Sequence, residues 1–523
     1  MPAIITDQFR ILNAETFIKS FVGIGTTTNQ YYTFLSHPNP TNITIENYGD
    51  PNWSSDPPEP KDSFQQESLY YDSMLFLKRI TSNDISRVIP RIDWELGITY
   101  DMYRNNYDID NGAPQTDSKT LYDSRFYILN SEYKVYICLN NGSNPENPKG
   151  QKSLFEPNFV DINPQSVGDG SDGYLWKYLY TVPPSDIIQF ATENFMPLPK
   201  NWGDINTETI KNASIDGKIQ TAIVKNRGSG YITANSETTG TIINIPILGD
   251  GTGGLVSITI TGGEIDTITV TDGGFGYTRA FVNFGIGFGG SPEITAGSGG
   301  IIEVIIPPKQ GHGYDVYREL GAYRVMVYSK YDSDPDYIIG NNFSRIGIIK
   351  NPVQFGSQED NVLINTSTAT GLDALKLKPI GAGNTSDTNY PLNAKITQTV
   401  GVGSTAVGYV ASWNPNTGVL KYYQPVGLST FSSHSYRLFK FVGAGVTINC
   451  AEVQGSPLIV DTNFNRNNIE IGGKMIDLGQ SFTLGVSTPD IKKYSGEIIY
   501  IDNRAPITRS SSQKEELKIV VEF

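Results

Sequence analysis

Cysteine and histidine are scarce in this sequence: 523 residues include two of the former and three of the latter. Cys138 and Cys450 lie 312 residues apart with no CxxC or metal-ligand spacing, which excludes a disulfide framework and a thiolate zinc site. Both read as buried apolar residues of a chain folded in a reducing compartment. His37, His312 and His434 are scattered through a Pro-rich coil, a pair of glycines and a Ser-rich loop. None has an evident partner, so none reads as a general base.

Charge is also thin. Only 18% of residues are charged, against about 25% in ordinary proteins. Lys and Arg total 40 against 54 Asp and Glu, a net charge of −14, so neither a nucleic acid nor an anionic lipid surface is expected as a partner. No apolar run is long enough to span a bilayer, and Asp7 with no basic segment before it argues against a cleaved secretion signal. There is no GxSxG, HExxH or GxxxxGK[ST], and the Gly-Lys pairs at Gly217 and Gly473 are followed by Ile and Met. A glycosidase needs only two carboxylates from distant segments. The 54 acidic residues single out no pair.

What is abundant is Gly (53), Tyr (30) and Pro (30), the composition of a turn-rich β protein with wide uncharged surfaces. The expected fold is mainly β (α+β) and multidomain: a short N-terminal helix, sandwich-like or barrel-like β domains, and two inserted β-rich domains. Phe9, Leu12, Ile18 and Phe21 recur at helical spacing between Thr6-Asp7 and Gly23. Residues 36–63 hold six prolines, and Pro57-Pro58-Glu59-Pro60 must be extended. That coil is expected to wrap over a domain and to be anchored by Trp53. A second helix is expected over Leu69–Ile80, with Tyr70, Met74 and Leu77 on one stripe. Tyr133–Leu139 alternates as a strand with two unlike faces and ends in Asn140-Asn141-Gly142. Further strands are expected at Leu175–Val182, Tyr323–Tyr328 and Glu516–Phe523.

Residues 206–315 turn Gly-rich. VKNRGSGY, VTDGGFGY and PPKQGHGY end in Gly-Tyr steps at Tyr231, Tyr277 and Tyr314, 46 and 37 residues apart, a degenerate repeat that predicts a β-repeat or a small sandwich, inserted as one unit. Residues 355–485 form a second β-rich stretch, whose clearest hairpin is Gly408–Tyr422 around Asn414-Pro415-Asn416-Thr417-Gly418.

The candidate sites are few. Gly249-Asp250-Gly251-Thr252-Gly253-Gly254 fits GxGxxG, yet a Thr/Ile strand follows where a dinucleotide site requires a helix N-terminus, so it reads as a β-turn. Asp332-x-Asp334-x-Asp336, Asp108-x-Asp110 and Asp169/Asp172 each depart from calcium-loop spacing and read as solvated turns. No catalytic, cofactor-binding or metal-binding residue and no cofactor is assigned. Trp53, Trp94, Trp176 and Trp202 read as core packing or interface anchors. Arg91 with Asp93, and Asp502 with Arg504, read as buried ion pairs fixing local turns or as exposed side chains.

Several strings, in order, resemble the baseplate wedge subunit encoded by gene eight of T-even-type contractile-tailed bacteriophages. They are ITDQFRILNAETFIKSFVGIG, the Trp53-Ser54-Ser55 coil with PPEPKDS, VIPRIDW (Val88–Trp94), GDGSDGYLWKYLYTVPP (Gly168–Pro184), RVMVYS with SRIGIIKNP inside 323–352, SGEIIYIDNRAPI (Ser495–Ile507) and EELKIVVEF (Glu515–Phe523). The resemblance covers 1–205, 323–354 and 486–523, leaving 206–322 as a Gly-rich β-repeat insertion and 355–485 as a second β-rich insertion. It implies a virion protein of the tail baseplate, assembled in the host cytoplasm. It further implies a structural homodimer without catalytic residues, which joins neighbouring wedge proteins and moves with them when the baseplate rearranges on host contact. Its implied partners are itself and other baseplate wedge proteins, with no nucleic acid and no membrane. The alternative reading is a tail-associated carbohydrate-binding or depolymerising protein, motivated by the Gly-Tyr repeat and by Trp413.

Overall fold

The computed structural model describes all residues except 1–4, 23–28, 38–54, 285–292, 332–341, 357–361, 379–389, 425–439, 444–446, 451, 453–457, 509 and 511–512. The protein is mainly β, with 44% strand and 10% helix. It divides into two compact units: Met1–Thr16 with Ser86–Met326 and Val520–Phe523, and Phe17–Ile85 with Val327–Ile519. The stretch 1–205 therefore contributes to both units, 206–322 lies wholly in the first and 355–485 wholly in the second.

The first unit is centred on an antiparallel sheet of Tyr127–Leu129, Lys134–Asn141 and Tyr174–Thr181. The middle strand was expected to have two unlike faces, but Val135 through Leu139 are all buried, because core packs on both sides of it. Tyrosines build much of that core. Tyr174 stacks on Trp176 at 5.1 Å, while the hydroxyls of Tyr127, Tyr136 and Tyr180 donate to the carbonyls of Pro90, Phe159 and Pro197. Burying a ring while its hydroxyl keeps a partner avoids the cost of an unsatisfied polar group. Among the described tyrosines only Tyr494, at 45%, is exposed.

Residues 216–306 form the small sandwich. One sheet has the order Glu264–Phe275, Thr252–Thr261, Gly240–Gly249, Ala280–Val282; the other pairs Ala222–Thr233 with Ile294–Val304. The two share a core containing Ile242, Ile245, Val256, Ile258 and Ile265. The repeat in it recurs in two segments of each copy. DGKIQTAIVKNRGSGY (216–231) runs in step with GGEIDTITVTDGGFGY (262–277), and Gly251–Gly254 with Gly297–Gly300, all at an offset of 46 residues. The copies pair reciprocally: Asn226 lies opposite Ile301 and Ser229 opposite Ser298, just as Asp272 lies opposite Leu255 and Phe275 opposite Thr252. Each copy thus supplies the strand that completes the other. The third segment, ending at Tyr314, has no such partner strand among the described residues and forms a loop before the short helix Val316–Glu319.

The second unit contains a five-stranded antiparallel sheet ordered Thr368–Thr370, Met74–Ile80, Tyr31–Ser36, Asn342–Lys350, Glu497–Thr508. The helix expected over Leu69–Ile80 is corrected here: a helix spans Phe64–Asp72 and the chain then becomes strand from Met74. Met74 to Leu77 are consecutive buried residues of an inner strand, a pattern that periodicity cannot separate from a buried helix. The region 355–485 supplies most of a six-stranded sheet, including the hairpin Ser404–Asn414 with Val419–Tyr423, where Gly418 takes φ of 67°.

The opening helix spans Asp7–Val22, but its buried face is Ile11, Ala14 and Phe21, whereas Phe9 and Leu12 are each 52% exposed. Arg10 fixes the helix to the C-terminal strand: it lies 3.9 Å from the Tyr323 ring centroid, donates to Glu522 Oε1 at 2.6 Å and donates to the Phe523 carbonyl.

Candidate interaction surfaces

One buried acid–base contact involves a residue the sequence left without a partner. Asp315 caps the helix Val316–Glu319 by accepting from Tyr317 N and Arg318 N, which sets Glu319 against the preceding loop. Its Oε1 lies 2.5 Å from His312 Nδ1, and its Oε2 accepts from Gly313 N at 2.7 Å. The Tyr103 ring packs edge-on against the imidazole at 4.6 Å. Lys177 belongs to the same neighbourhood: burial pushes its pKa down while Glu319 opposes that shift, and Nζ donates to the Ile162 carbonyl at 2.9 Å. His312, Glu319 and Lys177 are all buried. A general base must reach a substrate proton, and these groups instead tie a loop to a helix. His37 is buried and stacks on Tyr423; His434 lies outside the described residues.

The acidic turns are structural where they are described. Asp108 Oδ1 accepts from Asp110 N and Asn111 N, and Asp169 Oδ1 from Ser171 N. Buried Asp172 accepts from Leu154 N and Tyr174 N. Asp332, Asp334 and Asp336 lie outside the described residues. Among the described residues, no three His, Cys, Asp or Glu side chains converge as metal ligands do. The GxGxxG string is a strand connection whose glycines make room for Tyr277: a Cβ at Gly251 would lie 2.4 Å from that ring. Asp250 there accepts from Thr278 N and Arg279 N, and hydrogen bonding holds its carboxyl well below the usual range.

Trp176 is fully buried, Trp94 donates to Ser153 Oγ, and Trp202 donates to the Gly313 and Tyr314 carbonyls, so all three pack within the fold. Trp53 lies outside the described residues. Arg91 pairs with Asp93, and Arg504 with Asp502, but each pair is partly open to solvent, where such pairs contribute about 0–1 kcal/mol. Of the rings behind the carbohydrate reading, Tyr231 and Tyr277 are 2% exposed, whereas Tyr314 and Trp413 are partly buried, Trp413 packing on Tyr390 at 5.0 Å.

Among the outward-facing features are apolar side chains and a sheet edge. Ile5, Phe9 and Leu12 form an exposed stripe at the start of the opening helix. On the sandwich, Thr241, Thr259 and Thr267 lie side by side across three strands on the face opposite the core. In the second unit, the strand Glu497–Thr508 ends its sheet. A groove of about 320 Å³ runs beside it, lined by Ile498–Ile501 on one wall and by Pro60–Ser63, Glu67 and Tyr70 on the other.

No protein-family model matches this chain, and no curated protein matches it in sequence.

Proposed function

We propose that this chain is a structural subunit of a contractile phage tail baseplate, a wedge protein that holds its neighbours in fixed geometry and follows them when the baseplate rearranges on host contact. The observation that carries the reading is where the resembling strings lie in the fold. SRIGIIKNP and SGEIIYIDNRAPI are separated by about 150 residues in sequence, yet they fold as neighbouring strands, with Ile348 opposite Tyr500 and Gly347 opposite Ile501. The chain between them leaves and returns at adjacent points, since Phe355 N donates to the Asp490 carbonyl and Lys492 N to the Val353 carbonyl. These two resembling segments thus lie side by side in one sheet, which also takes its far edge strand, Thr368–Thr370, from 355–485, and this adjacency supports reading 355–485 as an addition.

In this reading the protein acts through surfaces. It is a homodimer that binds other wedge proteins, belongs to the virion and has no reacting group or cofactor of its own. Low charge density and exposed apolar positions such as Phe9, Leu12 and Phe281 suit surfaces covered in a permanent assembly, where charged groups are disfavoured at the interface core. A reconstruction of the assembled tail is the test: density for this chain in the baseplate, present as dimers, is expected. Complete tails from which the chain is absent would overturn the proposal.

A further inference from the structure

We propose that the edge of Glu497–Thr508, which has no further ladder partner among the described residues, takes up an extended segment of a partner protein as an added strand, in the groove at Ile498–Ile501. The proposal stands on the geometry of this edge, whatever assembly the chain belongs to. An edge strand presents alternate N–H and C=O groups with no ladder partner, and proteins ordinarily shorten or obstruct such edges. Three other sheet edges of this unit are short strands. The far side of the same sheet is Thr368–Thr370, and the six-stranded sheet ends in Ile448–Cys450 and Val486–Ser487. Glu497–Thr508 is longer, at 12 residues, and is interrupted only by a one-residue bulge at Ile499 and by the features of its C-terminal half.

Its two halves differ. Toward the C-terminal end, Pro506 offers no N–H, and Asn503 Nδ2 donates to the Pro58 carbonyl at 2.7 Å, so the Pro-rich coil closes that end. The other half is open, and there the groove lies. The coil wall is held rigidly, because the Tyr70 hydroxyl bonds both the N–H and the carbonyl of Lys61 at 3.1 Å. Arg345, buried beneath, packs on the Tyr70 ring and donates to Ser73 Oγ and Asn503 Oδ1. A preformed wall facing a backbone edge is the arrangement that strand addition uses: main-chain hydrogen bonds supply affinity and alternate side chains supply selectivity.

Four edge residues span about 13 Å at the usual rise, enough for a segment of four or five residues. Ile499 is skipped by the pairing register, and its side chain is 39% exposed. The opposite wall carries Asp62 and Glu67 against one cation, Lys61. The chemistry that fits is an extended segment of β-branched residues with one basic side chain.

The test uses the purified full-length chain and the blocked hexapeptide acetyl-Thr-Val-Lys-Val-Thr-Val-amide as probe, followed by anisotropy and hydrogen exchange. Saturable binding with slowed exchange across 497–502 is expected. At least tenfold weaker binding is expected for a probe N-methylated at alternate residues, and likewise for Ile499→Pro. Glu67→Lys, on the facing helix, provides a second variant and should also weaken the lysine-bearing probe. No slowing at 497–502, or equal binding of the N-methylated probe, overturns the proposal. So does an Ile499→Pro variant that converts a dimer to monomer without probe, since the edge is then covered by a second copy.

Discussion

The hydroxyl of Tyr277 accepts the N–H of Gly254 at 3.1 Å and donates to the carbonyl of Ile247 at 2.9 Å. Tyr231, its counterpart in the other copy, accepts the N–H of Gly300 at 2.9 Å. Each latch joins one 46-residue copy to the other. Tyr277→Phe removes two buried hydrogen bonds and should cost about 1–3 kcal/mol. Tyr231→Phe should cost less, and urea denaturation of both variants measures the difference. An equal or larger loss for Tyr231→Phe would mean the Ile247 acceptor contributes nothing.

The glycines opposite these rings are required by space. A Cβ at Gly251 would stand 2.4 Å from the Tyr277 ring and 2.6 Å from the Phe275 carbonyl. Gly251→Ala should destabilise by about 1–3 kcal/mol through overpacking. Gly262→Ala, which meets nothing within 4 Å but has φ of 62°, should cost only the backbone strain, about 1 kcal/mol. Thermal melts of the two variants should rank in that order.

Breaking the buried His312–Glu319 contact should be more damaging than any surface change. Glu319→Ala strips the partner from His312 and from Gly313 N, and leaving these buried groups unsatisfied should cost about 1–3 kcal/mol each. A denaturation midpoint within error of the native chain would refute the structural role assigned to this dyad.

A pH effect is expected at Glu522. Burial by itself would raise its pKa, but hydrogen bonds and charge from Arg324 and Arg10 outweigh that and hold it below its usual value of 4.5. A depressed folded pKa means that the clasp contributes fully above the unfolded carboxylate value and fades as pH falls through the folded one. Glu522 is about half exposed, so the effect should be on the order of 1 kcal/mol or less. Glu522→Gln should therefore be slightly less stable than the native chain at pH 7, and indistinguishable from it near pH 3.

Much of the architecture was legible because it rests on local chemistry. The Asn414–Gly418 turn, the strand before Pro183 and the helix from Asp7 follow from caps, turns and alternation. The buried run Met74–Leu77 was not legible as strand, since central strands lose the two-residue alternation. The 46-residue spacing was visible in the Gly-Tyr steps; the matching Gly-Thr-Gly-Gly and Gly-Ser-Gly-Gly strings carried the same signal and went unread. His312 and Glu319 are seven residues apart, and only the Asp315 cap and the turn through Gly313 bring them together. The edge at Ile498–Ile501 was invisible, because whether a strand ends a sheet depends on topology.

The reciprocal pairing of the two copies also sets an order of events during synthesis. The outermost pair of the smaller sheet joins Ala222 to Val304, so the first copy leaves the ribosome before its complement exists. At about 5–20 residues per second, the intervening 80 or so residues take several seconds to appear. For that interval the nascent first copy carries an open apolar face, and the sandwich closes only after the second copy has been translated.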